Sequence, residues 1–67
     1  MTTVERYKAC VVKNASQRFS ITILEAERIM HDSGIGELID ERPYMSMHFA
    51  PEDWEENFEA YMKRNRN

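Results

Sequence analysis

The segment from Ser20 to Ile39 constrains the fold most strongly, because it contains two amphipathic helical patterns separated by a glycine. Thr22 and Glu25 form a T-x-x-E capping box, in which the threonine hydroxyl and the glutamate carboxylate each accept from the other residue's amide. This motif predicts that a helix begins here. Ser33-Gly34 predicts its end, because glycine readily adopts the left-handed conformation that closes a helix. The segment therefore predicts a central helix followed by a shorter one at a new angle.

The apolar residues of this segment recur at helical spacing. The first pattern consists of Ile23, Ala26, Ile29 and Met30, and the second of Ile35, Leu38 and Ile39. Leu24 widens the first stripe, so we expect the central helix to face neighbours on more than one side.

A second T-x-x-E motif, Thr2 to Glu5, predicts an N-terminal helix that extends to Ser16 or slightly beyond. One face of this helix is apolar and consists of Val4, Tyr7, Val11, Ala15 and Phe19. We expect it to pack antiparallel to the central helix, because the polar connection between them is short.

Pro51 predicts the start of the last helix, since proline is favoured at a first helical position. The apolar stripe of this helix comprises Trp54, Phe58 and Tyr61, flanked by Met62. At its carboxyl end, Lys63, Arg64 and Arg66 are expected to complement the helix dipole.

The connection between Pro43 and Pro51 is unusually apolar for a loop. Pro43 disfavours helical geometry at Arg42, so the preceding helix is expected to end there. We expect residues 44–50 to form a loop that either packs across the core or forms a docking surface. Packing is favoured, because a small domain usually exposes little apolar area.

These patterns predict a compact all-α domain spanning residues 1–67, with three to four short helices at about 3–16, 22–33, 35–41 and 51–64. A chain of 67 residues buries only roughly 60% of its unfolded surface. One cysteine, Cys10, allows no intrachain disulfide. We therefore expect association with a partner or with a second copy to add stability.

The charge distribution favours a protein partner over nucleic acid. Residues 1–34 hold five basic and four acidic side chains, whereas residues 35–67 hold four and eight. An acidic surface repels phosphates, so nucleic acid is an improbable partner. No apolar run reaches the ~20 residues that span a bilayer, and the N-terminus lacks the pattern of a secretion signal, so no membrane association is expected and a cytoplasmic location is predicted.

The sequence predicts no enzyme, no cofactor and no metal site. Cys10, His31, Asp32 and His48 lack the paired spacing of zinc ligands. Nucleophilic catalysis would need a histidine paired with Cys10 or with Ser46. Neither pair has an evident orienting carboxylate or oxyanion site. We expect Cys10 to be a buried thiol, His31 to lie at a helix end and His48 to order its loop by hydrogen bonding.

An alternative interpretation is a helix-turn-helix regulator that binds DNA as a dimer. The second helix would then read bases, but it carries Glu37, Asp40 and Glu41 where readers and phosphate contacts are expected. The first helix has a basic character that keeps this alternative open, through Arg6, Lys8, Lys13 and Arg18.

With these elements placed, most of the chain resembles a family of short bacterial proteins of unknown function, often encoded beside a gene that resembles an ADP-ribosyltransferase toxin. The matching features are a cysteine in an apolar first helix, Glu25-Ala26, Ser33-Gly34-Ile35, a loop with His48, and Tyr61 in the last helix. The apolar loop over residues 43–49 departs from the family. The resemblance implies a small helical accessory or antitoxin-like protein, without catalytic residues.

Our functional hypothesis is a protein-interaction module. We expect the partner to contact the apolar loop and the acidic outer face of the last helix, that is, Tyr44, Met45, Met47, Phe49, Glu52, Glu55, Glu56 and Glu59. The apolar residues would supply most of the affinity, and the acidic ones would speed association and set specificity.

Overall fold

Five α-helices and one 3₁₀ turn make up the computed structural model, which describes residues 2–65. The elements are α1 (Thr3–Phe19), α2 (Ile23–Asp32), α3 (Ile35–Glu41), α4 (Pro43–Ser46), the 3₁₀ turn (Pro51–Trp54) and α5 (Glu55–Arg64). The predicted all-α class is confirmed, and residues 2–65 contain no strand. None of the helices in this range has both the length and the apolar character that crossing a membrane requires.

The helix starts follow the local chemistry of the sequence. Before α1, Thr2 Oγ1 accepts from the Glu5 amide at 3.1 Å and the Glu5 carboxylate accepts from the Thr2 amide at 3.1 Å, so the capping box is complete. Before α2 only half of the predicted box forms. Thr22 Oγ1 accepts from the Glu25 amide at 3.0 Å. The Glu25 carboxylate accepts from the Thr22 hydroxyl, at 3.5 Å, and not from the Thr22 amide as a complete box requires. One capped amide is nevertheless enough to begin the helix here.

Left-handed residues separate the first three helices. Gly34 has φ +85°, as predicted, and precedes α3. Ser20 also has a positive φ, 55°, and closes α1 through a bond from its amide to the Ser16 carbonyl. The first helix, predicted to extend to Ser16 or slightly beyond, ends at Phe19.

The prediction of three to four helices was wrong, because the segment after Arg42 is not a loop throughout. Arg42 leaves helical geometry at φ −131° and ψ 64°, as expected before a proline. Pro43 then begins the additional helix α4, since its fixed φ suits a first helical position. The last predicted helix is also divided, into the 3₁₀ turn from Pro51 and α5 from Glu55.

The last turn of α5 carries Lys63 and Arg64, which complement the helix dipole as predicted. Arg66, to which the same role was assigned, lies outside the described residues.

The core is built around α1 and not around α2, in contrast to the expectation for a central helix at residues 22–33. Helix α1 contacts α2, α3, the 3₁₀ turn and α5. Helix α2 contacts α1, α3 and α5, so it faces neighbours on more than one side as predicted, although Leu24 is 69% exposed and Ile23 is also exposed. The buried apolar residues come from five of the six elements and are Val11, Val12, Ala15, Ala26, Met30, Ile35, Ile39, Trp54 and Phe58.

Candidate protein-binding surface

The segment between α3 and the 3₁₀ turn is held in shape by its own backbone. Within it, the Ser46 amide donates to the Arg42 carbonyl and the Met47 amide to the Pro43 carbonyl, both at 2.9 Å. A further turn follows, in which the Phe49 amide donates to the Ser46 carbonyl at 3.1 Å. Successive hydrogen-bonded turns of this kind fix the direction of the side chains that they carry.

Tyr7 of α1 attaches this segment to the rest of the molecule. Its hydroxyl oxygen lies 2.8 Å from the carbonyl oxygens of both Ser46 and Phe49. The one phenolic proton is shared between these two acceptors, and the oxygen in turn accepts from Trp54 Nε1 at 2.7 Å. The Tyr7 hydroxyl thus joins α1, the segment after α4 and the 3₁₀ turn in a single half-buried network.

Sequence reasoning placed Tyr7 only in an apolar stripe and missed this role. Chemistry offers the one sequence clue, since tyrosine and tryptophan need partners for their polar atoms when they are buried. The indole N–H can donate to the tyrosine hydroxyl, which can accept. Their separation of 47 positions hides the pairing from any local pattern.

Three large apolar side chains of this segment face solvent. Tyr44 is 84% exposed, Met45 55% and Phe49 50%, whereas Met47 is partly buried. We call these four residues the 44–49 patch. The expectation that the segment packs on the core was therefore wrong for three of them, because α4 directs Tyr44 and Met45 outward and the turn after it does the same for Phe49. The Phe49 ring also packs edge-to-face against Trp54, at 6.2 Å between ring centroids.

The predicted acidic surface divides into two parts. Glu52, Glu56 and Glu59 are exposed on the 3₁₀ turn and α5, whereas Trp54 and Phe58 of the same elements are buried.

Glu55, in contrast, is turned toward α1. Its carboxylate accepts from Asn14 Nδ2 at 2.8 Å and lies 3.3 Å from Arg18 Nε. It joins α5 to α1, so it is less available to a partner than its acidic neighbours.

The residues weighed for catalysis or metal binding are dispersed. Cys10 is exposed, in contrast to the prediction of a buried thiol, because the adjacent Val11 and Val12 occupy the core side of α1. His31 lies at the end of α2, with Nδ1 3.1 Å from Asp32 Oδ1. Ser46 is buried, while His48 is exposed and its side chain forms no hydrogen bond within residues 2–65. No three His, Cys, Asp or Glu side chains in this range form a group that could hold a metal ion.

The basic face of α1, on which the DNA-binding alternative depends, is partly neutralised. Lys8 Nζ lies 3.0 Å from both carboxylate oxygens of Asp40 on α3. Arg18 pairs with Glu55, as described above, and stacks on Phe19 at 5.2 Å from the ring centroid. Two of the four cations on α1 are thus already occupied by intramolecular contacts.

Comparison with known proteins adds no relative: no protein family, curated protein or solved structure matches the chain significantly.

Proposed function

We propose that this protein binds another protein through the 44–49 patch. The observation that carries the proposal is that Tyr44, Met45 and Phe49 are each at least half exposed on a segment whose backbone is fixed by Tyr7. Large apolar side chains on an ordered surface are typical of interaction sites. Burying one such side chain contributes roughly 1.5–3 kcal/mol.

The fixed backbone favours binding for a second reason. A segment that is already ordered loses little conformational entropy when its partner arrives, so more of the contact energy appears as affinity. The two exposed aromatic rings, Tyr44 and Phe49, belong to the residue types that contribute most at interfaces.

The surrounding charge indicates the chemistry of the partner. Glu52 follows Phe49 by three residues, and Glu56 and Glu59 extend the acidic face along α5. A partner with an apolar cleft bordered by Lys or Arg would complement this surface, and the charges would mainly accelerate association. A second copy fits less well, because a two-fold contact through the patch would bring like charges together.

The antitoxin-like role implied by the family resemblance belongs to this proposal. A toxin encoded by a neighbouring gene would be one such partner, and cytoplasmic expression of both proteins would let them meet. DNA binding is the weaker candidate, because α3 carries exposed acidic residues and Lys8 and Arg18 of α1 are paired.

The patch can be tested with two matched double variants in a pull-down from host extract, with the native mass of the captured complex as a second readout. Tyr44→Ser with Met45→Ser removes exposed apolar area from the patch. Ile23→Ser with Leu24→Ser removes it from α2, where both side chains are also exposed. We expect the first variant to lower affinity for the captured protein by about tenfold or more, since central apolar residues dominate binding energy.

The α2 variant should bind as the original protein does. Equal capture by both variants, or equal loss in both, would refute the patch as the binding site. Folding is checked by circular dichroism, and all four substituted side chains are exposed, so neither change disturbs the core.

A further inference from the structure

A separate open groove lies between the amino-terminal half of α1, the carboxyl end of α2 and α3. Its volume is about 610 Å³, within the range of roughly 300–1,000 Å³ that is usual for binding clefts. Ala9, Val12, Met30 and Gly36 form its apolar floor. None of the residues of the 44–49 patch lines it, so the groove does not depend on the function proposed above.

Gly36 keeps this floor in its present form. A Cβ atom at this position would lie 3.2 Å from Met30 Cγ, which is tighter than ordinary van der Waals contact. The absence of a side chain therefore allows α3 to approach α2 and leaves Met30 as the base of the groove.

The rim of the groove carries an excess of negative charge. Lys8 and Asp40 neutralise each other at 3.0 Å, which leaves the carboxylates of Glu5, Glu27 and Glu37. Glu5 accepts from the amide and the hydroxyl of Thr2, and these hydrogen bonds, the amide first, hold its pKa below the ordinary value.

His31 is the other titratable group on the rim, and its imidazole lies against Asp32 at 3.1 Å. Even with a protonated His31 the rim therefore remains negative.

We propose that this groove binds a basic amphipathic helix of a partner protein. The apolar floor would receive one or two apolar side chains of that helix, and Glu5, Glu27 and Glu37 would pair with its flanking Lys or Arg residues. The stretch of α1 from Glu5 to Val12 spans about two helical turns, which matches the separation of apolar positions i and i+7 on the bound helix.

A second copy of this chain is the competing occupant. Its most basic described end is the last turn of α5, with Lys63 and Arg64, but the apolar Met62 beside them lines a hollow with Phe19 and Ile21 of its own chain. The charge excess of the groove is thus better matched by a helix from another protein.

The test is a titration of the ¹⁵N-labelled protein with three peptides of about 14 residues, roughly four helical turns each. The first carries leucine on one helical face and lysine on the other. The second replaces lysine by glutamate, and the third replaces leucine by serine. We expect only the first to produce saturable shifts of the amide signals of Ala9, Val12 and Gly36.

Charge-reversed variants connect this binding to the rim. The side chains of Glu27 and Glu37 are exposed and form no hydrogen bond within residues 2–65, so Glu27→Lys with Glu37→Lys should leave the fold intact. This variant is expected to bind the lysine peptide about tenfold more weakly, since two rim attractions become repulsions, and to acquire affinity for the glutamate peptide. Glu25→Lys with Glu41→Lys, at exposed carboxylates outside both the groove and the acidic face of α5, changes the net charge equally and should bind the peptide as the original protein does.

Several results would overturn the proposal. If the serine-containing peptide bound as tightly as the leucine-containing one, the binding would be explained by unspecific charge attraction alone. Equal weakening in the two charge-reversed variants, or shifts confined to α5 or the 44–49 patch, would place the peptide elsewhere. Concentration-dependent shifts at Gly36 without any peptide, with a doubled native mass, would make a second copy the occupant.

Discussion

At the scale of single residues, the Tyr7 hydroxyl has the largest structural consequence. It joins two backbone carbonyls and the indole of Trp54, which come from parts of the chain that are distant in sequence. The Ser46 carbonyl also accepts from the Phe49 amide, but within residues 2–65 the Phe49 carbonyl and the Trp54 N–H are satisfied only while α1, the segment after α4 and the 3₁₀ turn remain together. Removing one oxygen atom therefore affects three groups at once.

Tyr7→Phe should lower the free energy of unfolding by about 1–3 kcal/mol, because it leaves the Trp54 N–H and the Phe49 carbonyl without a protein partner and removes one of the two hydrogen bonds to the Ser46 carbonyl. Urea denaturation followed by circular dichroism measures the change. Tyr61→Phe is the control, since the Tyr61 hydroxyl forms no hydrogen bond within residues 2–65 and its loss should stay within about 0.5 kcal/mol. Equal effects of the two substitutions would argue against the network.

At the scale of helices, the two left-handed residues decide where α1 ends and where α3 begins. Gly34 meets no atom within 4 Å of a Cβ position, so only its backbone conformation requires glycine. Ser20 adopts the same region of conformational space with a side chain present, which costs energy. Introducing glycine at Ser20 and removing it at Gly34 should therefore change the stability in opposite directions.

Ser20→Gly should stabilise the protein and Gly34→Ala should destabilise it, each by about 0.5–1 kcal/mol. The left-handed conformation costs a residue with a Cβ roughly 1–2 kcal/mol, and glycine's greater freedom in the unfolded chain offsets about half of that difference. Thermal unfolding of both variants measures the shifts. A destabilising Ser20→Gly would mean that the serine side chain contributes more than its backbone conformation costs.

Local chemistry predicted part of these elements from sequence. Thr2, Thr22 and Gly34 act within a few residues of themselves, so their helix boundaries could be recognised without knowledge of the fold. Pro43 is ambiguous in sequence, because the same ring ends one helix and begins the next, and α4 was therefore missed. The exposure of Cys10 depends on which side of α1 meets its neighbours, which only tertiary packing decides.

The candidate binding surface was predicted in composition but not in geometry. Residues 44–49 stand out in sequence as apolar, yet a pattern of apolar residues does not tell whether their side chains point inward or outward. Glu55 and Glu56 are neighbouring glutamates that the sequence treats alike. Only the folded structure shows that Glu55 contacts Asn14 and Arg18 of α1 while Glu56 faces solvent. The groove next to Gly36 depends on three helices and has no signal in any one of them.

At the scale of the whole molecule, the described chain measures 35 × 18 × 17 Å and encloses one core. Five of its six elements contribute buried apolar residues, and α1, one of these five, contacts the other four. No group of these elements has a core of its own. The molecule should therefore unfold as one cooperative unit.

This expectation can be tested with two probes in the same denaturant titration. Fluorescence of Trp54, the only tryptophan, reports its packing against α1, and far-ultraviolet circular dichroism reports the helices. The two transitions should coincide in midpoint and slope, as a two-state process requires. An earlier fluorescence transition would mean that the 3₁₀ turn and α5 separate from α1 while the other helices remain folded.

The outward-facing thiol of Cys10 makes such measurements practical in the unaltered chain. It is the only cysteine, so a maleimide dye that absorbs at the emission wavelength of indole will attach at one defined position on α1. Energy transfer from Trp54 to that dye then reports the distance between the first helix and the 3₁₀ turn. Separation of the 3₁₀ turn from α1 during unfolding can thus be followed in real time without engineering a label site.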